Sequence, residues 1–218
     1  QWGIKLTYIE QPEPNGLPQA FILGEEFLNG HPSCLILGDN FFHGDGLTKV
    51  FKKAYNQERG CTIFAHQVAD PSKYGVVEFD KDGWVGSIEE KPKIPKSNWA
   101  VTGVYFFDEK ATEYSRKLKK SDRGEFEIVD LIKIYLTNAE LDVECFLRGS
   151  TWLDTGSPDT LLDAANFVHV IQQRQGYKIA CLEEIVFNME LIDGVQLRAQ
   201  IKKYQNTDYG EYLKKIYE

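Results

Sequence analysis

Several features are scarce in this chain, and each scarcity excludes something. There is no basic tract: 25 Lys and Arg stand against 33 Asp and Glu, for a formal net charge of −8. Sequence-independent binding to nucleic acid or to an anionic membrane needs a clustered positive field, so neither partner is expected. A phosphorylated substrate is not excluded, because a local Lys/Arg pocket or a metal ion sets the field inside a site. No apolar run approaches the ~18 residues of a membrane-spanning helix, and no signal peptide is recognisable. The four cysteines, Cys34, Cys61, Cys145 and Cys181, show no close spacing. Three lie in apolar, strand-like surroundings, as small buried hydrophobes do. A disulfide framework and a zinc site are therefore not expected, and a reducing, cytoplasmic setting is. There is no internal repeat, low-complexity stretch or flexible linker. There is also no nucleophile elbow, Walker loop or Cys–His pairing. The histidines are scattered without ligand spacing and read as non-catalytic.

What is present is enough for one large core, with 218 residues of which 42% are hydrophobic. The chain begins Gln1-Trp2-Gly3, without Met, as a processed protein or a piece of a longer one does. Residues 4–9 alternate and predict a strand. A turn-rich loop, Gln11-Pro12-Glu13-Pro14-Asn15-Gly16, leads into a helix expected to stop near Asn29-Gly30. Residues 34–37 form an apolar strand. Leu47, Val50, Phe51, Ala54 and Tyr55 keep helical spacing, and residues 61–68 make another strand. Strand alternating with helix implies right-handed crossovers and a mostly parallel sheet. Two short strands flanking Asp80-Lys81-Asp82-Gly83 then predict a hairpin. A strand at 101–107, helices at 109–118 and 125–136, and a strand at 141–147 follow. Ser157-Pro158 is a good helix start, and Gly176 a good stop. The fold class expected is α/β: a Rossmann-like, mostly parallel sheet flanked by helices, with an inserted antiparallel hairpin and C-terminal helices. Residues 1–175 are assigned to the core and 176–218 to a helical region serving assembly or regulation.

Two aspartates carry the most chemistry. Asp39 ends the run Cys34-Leu35-Ile36-Leu37-Gly38-Asp39, and Asp154 stands in Trp152-Leu153-Asp154-Thr155-Gly156. A strand ending in Gly-Asp presents its carboxylate at the sheet edge where α/β proteins bind ligands. Two such carboxylates suit a hard divalent cation and the phosphates it carries. Taken singly, each is as well explained by capping a turn or a helix. Glu89-Glu90-Lys91-Pro92 is more often a solvated edge, yet Glu accepts sugar hydroxyls and Lys neutralises phosphate. Arg123-Gly124-Glu125 reads as a helix start or as a planar fork for a phosphate. Gly103, inside an apolar strand, weakens that strand unless something approaches it closely.

These segments occur in a fixed order. The remaining ones are Gln11 to Ala20, Tyr74-Gly75-Val76-Val77-Glu78-Phe79, Val101-Thr102-Gly103-Val104-Tyr105 and Arg123-Gly124-Glu125-Phe126-Glu127-Ile128. Together they resemble the glucose-1-phosphate thymidylyltransferases over nearly the whole chain. The resemblance implies that Gln11 and Gly16 read the thymine base, and that Asp39 and Asp154 bind Mg2+, with Asp39 also near the nucleotide. It implies that Tyr74, Gly75, Glu90, Lys91, Val101 and Trp152 line the glucose, and that Lys91 and Arg123 hold its phosphate. Lys91, Arg123, Asp39 and Asp154 are the implied catalytic set. The implied partners are dTTP, glucose 1-phosphate, dTDP-glucose and pyrophosphate, in a homo-oligomer that is tetrameric in the family. The family opens with a strand and a Gly-rich, Arg-bearing loop that grips the triphosphate. That N-terminal βαβ portion has no counterpart in this sequence. The expectation is a truncated chain with little or no turnover. A non-catalytic sugar-nucleotide-binding or regulatory module, and a transferase using UTP or ATP, stay open at this point.

Overall fold

A computed structural model describes residues 2–218. The chain divides into two compact units, Tyr8–Ser157 in one, and Gln1–Thr7 with Pro158–Glu218 in the other. The division falls after Ser157, whereas the sequence pattern suggests a change near residue 175.

The spine of the larger unit is one long strand. We number the strands β1 (Ser33–Ile36), β2 (Asn40–His43), β3 (Cys61–Gln67), β4 (Gly75–Phe79), β5 (Val85–Glu90), β6 (Trp99–Phe107), β7 (Leu141–Cys145) and β8 (Thr151–Asp154). The helices of this unit are α1 (Gln19–Leu23), α2 (Glu25–Leu28), α3 (Leu47–Tyr55), α4 (Ala111–Arg116) and α5 (Ile128–Thr137). Along one edge of β6 runs β3, from Cys61↔Phe107 to Gln67↔Trp99. The other edge is shared: β1 pairs with its end (Ser33↔Phe107 to Ile36↔Val104) and β4 with its start (Val76↔Ala100, Val77↔Trp99). The hairpin β4–β5 and the outer strand β7 complete a six-stranded sheet. Alternation along β3 sends Ile63 and Ala65 to one face and Phe64 to the other. The first face packs on α5, through Leu131, Ile132 and Tyr135. The second packs on α3, through Ala54 and Phe51. With both faces covered, the strands read as continuous apolar runs rather than strict alternation.

The α/β class and the hairpin match the sequence expectation, and the strand directions correct part of it. Among the described residues only β3 and β7 pair in parallel; the other pairs of this sheet are antiparallel. The crossover rule is right about direction and wrong about neighbours. β1 and β3 run parallel to each other across the helix α3, but antiparallel β6 lies between them. Residues 4–9 form no strand, and Ile4, Leu6, Tyr8 and Ile9 are exposed. Alternation alone supplies no hydrogen-bonding partner. The helix after Arg123 begins only at Ile128, because Ser121 to Glu125 closes a turn (Ser121 N–H to Glu125 O, 2.8 Å) and Phe126 N–H bonds Asn15 O at 2.8 Å.

The smaller unit is helical: α6 (Pro158–Gln175), α7 (Leu182–Asn188), α8 (Gly194–Lys203) and α9 (Asp208–Tyr217). A capping box between Asp193 and Gln196 starts α8. Val186, Ile192 and Leu197 are buried together with Trp2 against them. No helix among the described residues is long and apolar enough to cross a membrane.

Candidate active site

The strand β2 decides where the first aspartate goes. Sequence reading sends the chain from Asp39 directly towards a helix. Instead Asn40–His43 pairs antiparallel with β8 in a separate two-stranded ribbon, with Asn40 opposite Asp154. Asp39 is thus drawn to the end of β8: Thr155 donates both its N–H and its hydroxyl to Asp39 O, each at 2.8 Å. Gly156 lies between the two side chains. A β-carbon built there would stand 3.1 Å from Asp154 Oδ1 and 3.4 Å from Asp39 Oδ2. Both carboxylates therefore approach the same side of Gly156. Gly156 N–H donates to Asp154 Oδ1 at 3.0 Å, and Asn40 Nδ2 donates to Asp39 Oδ1 at 2.9 Å. Two carboxylates brought to one glycine suit a hard divalent cation whose other ligands are water and phosphate oxygens. Among the described residues no cluster of three or more His, Cys, Asp and Glu offers a full cage.

Asp154 also lines a cavity of about 180 Å³ beside β6. Its wall includes Tyr74, Gly75, Glu90, Lys91, Val101 and Trp152, all six of the residues expected around the sugar. The hairpin explains this convergence. Gly75 pairs with Glu90 in the β4–β5 register, and Lys91 N–H returns to Tyr74 O at 3.0 Å. A β-carbon on Gly75 would meet Val129 Cγ2 at 2.8 Å, so only glycine allows α5 this close. Lys91 takes a left-handed backbone, φ 42°, a conformation that costs a non-glycine residue on the order of 1–2 kcal/mol. Trp152 is buried at 7% exposure, and Tyr74 packs edge-on against it, with centroids 4.9 Å apart. Burial pushes the Tyr74 hydroxyl pKa up, and the nearby charges of Asp154 and Asp70 add to it.

Charge is concentrated around Glu90. Arg123 Nη1 lies 3.5 Å from Glu90 Oε1 and 3.7 Å from Glu127 Oε2, its Nη2 lies 3.5 Å from Glu125, and Lys91 Nζ lies 4.0 Å from Glu90. Glu127 is buried and accepts the Ser121 hydroxyl at 2.6 Å. Burial raises the Glu90 carboxyl, and Glu127 raises it further, while Lys91 and Arg123 oppose both. Arg123 joins this group from outside the cavity wall.

Gln11 and Gly16 are brought to each other but stand off the cavity. Gln11 is exposed and donates to Gly16 O at 3.2 Å and to Gln19 Oε1 at 2.7 Å. Gly16 has φ +100°, and a β-carbon on it would lie 2.1 Å from Phe126 O. Its neighbour Leu17 does reach the cavity, as do Asn40, Tyr105 and Val129. Sequence reasoning misses these four as site residues. Leu17, Tyr105 and Val129 resemble ordinary core, and nothing local distinguishes them.

The Nucleotidyl transferase family profile matches residues 1–170. The chain is 50% identical over 213 residues to a glucose-1-phosphate thymidylyltransferase of Xanthomonas campestris pv. campestris (strain B100), covering 98% of this chain and 72% of that protein. It is 48% identical over 212 residues to one of Neisseria gonorrhoeae, covering 97% of this chain and 74% of that one. Among solved structures, a Bacillus anthracis protein described as a glucose-1-phosphate thymidylyltransferase, in complex with a sucrose, superposes with TM-score 0.68 at 36% identity, over 76% of this chain and 66% of that chain. A UDP-glucose pyrophosphorylase complexed with UDP-glucose shares the fold, with TM-score 0.66 at 23% identity, over 75% of this chain and 65% of that chain. The chain thus spans about two thirds of the solved chains that it resembles.

Proposed function

We propose, because the chain belongs to the glucose-1-phosphate thymidylyltransferase family, that its cavity takes glucose 1-phosphate and that dTTP supplies the thymidylyl group, giving dTDP-glucose and pyrophosphate. One observation carries this reading: Asp154, Lys91 and the other residues expected around the sugar share one cavity wall, with Asp39 joined to Asp154 across Gly156.

A phosphate oxygen of glucose 1-phosphate attacks the α-phosphorus of dTTP, and the bond to the β-phosphate oxygen breaks as pyrophosphate departs. The attacking phosphate is already ionised, so no protein base or nucleophile is required. The demand on the protein is to hold two anions in line and offset their repulsion. Lys91 and Arg123 supply positive charge for the sugar phosphate. Glu90 accepts sugar hydroxyls, and the Gly75 backbone admits the ring. Trp152 and Tyr74 form an apolar wall that excludes water from the reacting groups. Asp39 and Asp154 would hold Mg2+, which polarises the α-phosphate and screens the charge that develops.

The test is equilibrium binding. Glucose 1-phosphate should bind and be weakened by Lys91→Ala. Competition among dTTP, UTP and ATP in the presence of Mg2+ should favour dTTP, and the Mg2+-dependent part of nucleotide binding should vanish in Asp39→Asn and Asp154→Asn. Tighter binding of UTP or ATP would transfer the chain to a different nucleotide class and sink the dTTP assignment.

A further inference from the structure

One side chain binds together the parts of this site that come from distant sequence. Asn40 Oδ1 accepts two hydrogen bonds, from Trp152 Nε1 at 2.6 Å and from Gly103 N–H at 3.0 Å. Its Nδ2 donates to Asp39 Oδ1 at 2.9 Å. These partners fix which way the amide points. Reversed, it would set its NH2 against two N–H donors and its oxygen against a carboxylate. An aspartate at this position would keep both acceptor contacts but bring a second negative charge to Asp39. A glutamine would be one methylene too long.

The arrangement also explains Gly103. A β-carbon there would stand 2.5 Å from both Cγ and Oδ1 of Asn40. What approaches the glycine in the middle of β6 is therefore the protein's own amide.

We propose that Asn40 is a positioning residue, whose amide pins Asp39 Oδ1 and the Trp152 indole to the backbone of β6 and leaves Asp39 Oδ2 facing Asp154. The inference rests on the reading of Asp39 and Asp154 as metal ligands. Asp39 has one oxygen held by a neutral donor, while the other lies 3.4 Å from the Gly156 β-carbon position, which Asp154 Oδ1 approaches to 3.1 Å. Outer hydrogen bonds of this kind orient the ligating oxygen and characteristically govern metal affinity by ~10–100-fold.

The experiment uses Mn2+ as a paramagnetic probe of the pair, titrated into this chain and its variants and followed by electron paramagnetic resonance. Far-UV circular dichroism and melting verify that each variant is folded. Asn40→Ala should weaken Mn2+ binding at least tenfold. Gly103→Ala, which displaces the same amide from the other side, should weaken it comparably. In the Asn40→Ala background, Gly103→Ala should add less than twofold, because no amide remains to be displaced. Independent losses that multiply would indicate two unrelated packing defects and overturn the proposal. So would a folded Asn40→Ala that binds Mn2+ within twofold of the parent. Should Asp39→Asn and Asp154→Asn leave the parent isotherm unchanged, the metal reading itself fails and the proposal with it. If those two abolish binding and Asn40→Ala does not, only the role of Asn40 is lost.

Discussion

The two halves of the candidate site are held by different forces. At the β2–β8 ribbon, Asp39 and Asp154 are fixed by backbone register and by neutral donors at 2.8–3.0 Å: Thr155, Gly156 and Asn40. At the hairpin, Glu90, Lys91 and Arg123 are held by ion pairs of 3.5–4.0 Å whose cationic partners are nearly half exposed. Short, directional bonds preorganise a geometry, whereas loose exposed pairs are worth little by themselves, ~0–1 kcal/mol each. The difference suits the two tasks proposed for these halves. A metal site needs oxygens aimed at one point in advance. Cations that must receive a phosphate do better when parked on weak partners that the incoming anion can replace. On the hairpin side only the backbone is strained, at Lys91.

The largest effect tests the rigid side. Asp154→Asn or Asp39→Asn should lower Mn2+ affinity by about 100-fold or more, roughly 2.8 kcal/mol, while glucose 1-phosphate measured without metal shifts by less than about threefold, close to 0.6 kcal/mol. Equal losses of both ligands would show one coupled site and not two regions. Next in size is the soft side. Arg123→Ala should reduce glucose 1-phosphate affinity by ~10–100-fold, the range for a charge-assisted hydrogen bond, with Mn2+ binding nearly unchanged. Arg123→Lys should recover only part of that loss, since a point charge does not replace the planar fork. Full recovery would mean that charge alone suffices. A smaller effect comes from Gly16→Ala. Its β-carbon would collide with Phe126 O, beside the turn that carries Arg123. It should cost ~1–3 kcal/mol of stability and weaken sugar-phosphate binding a few-fold while sparing Mn2+. Loss of Mn2+ binding as well would show that the ribbon and the loop share one frame.

The same contrast explains what is legible in the sequence. The hairpin side is local: Asp82-Gly83 marks the turn and brings the two strands together, while a bulge at Glu78/Phe79 sets the final register of Gly75 with Glu90. The neighbourhood of residues 74, 75, 90 and 91 is therefore legible from the turn, their grouping as a site comes from the family resemblance, and the one-residue shift of register is not legible. Asp39 is legible as the end of an apolar strand. The ribbon side is not, because β2 finds its partner more than a hundred residues away, and four residues such as Asn40–His43 carry no signal of their own when the neighbour is so remote. Asn40 stands in view beside Asp39, and Gly103 is odd for a strand interior, but only the pairing of β2 with β8 puts the amide against the glycine. The sheet direction fails for a related reason. Strand–helix–strand periodicity fixes that β1 and β3 run the same way, and it is silent on β6, a later strand that inserts between them. Residues 4–9 have the right alternation and no partner.

The smallest prediction concerns Glu90, where the soft side carries its own cost. Burial is the first cause of its raised carboxyl pKa and the neighbouring Glu127 the second, against the pull of Lys91 and Arg123. An acid whose pKa is raised on folding keeps its proton to higher pH in the folded chain than in the unfolded one. Its contribution to stability is therefore complete below the ordinary glutamate range and is lost as pH rises through the raised value. Glu90→Gln has no such titration. Melting of the parent and of Glu90→Gln should be compared from about pH 4 to pH 8. The variant should gain on the parent as pH rises through the weakly acid range and keep that gain above it. A constant difference at every pH would mean that the two cations already compensate Glu90 fully. The hairpin side would then be as well balanced as the ribbon, and the contrast between a rigid and a replaceable half would fall.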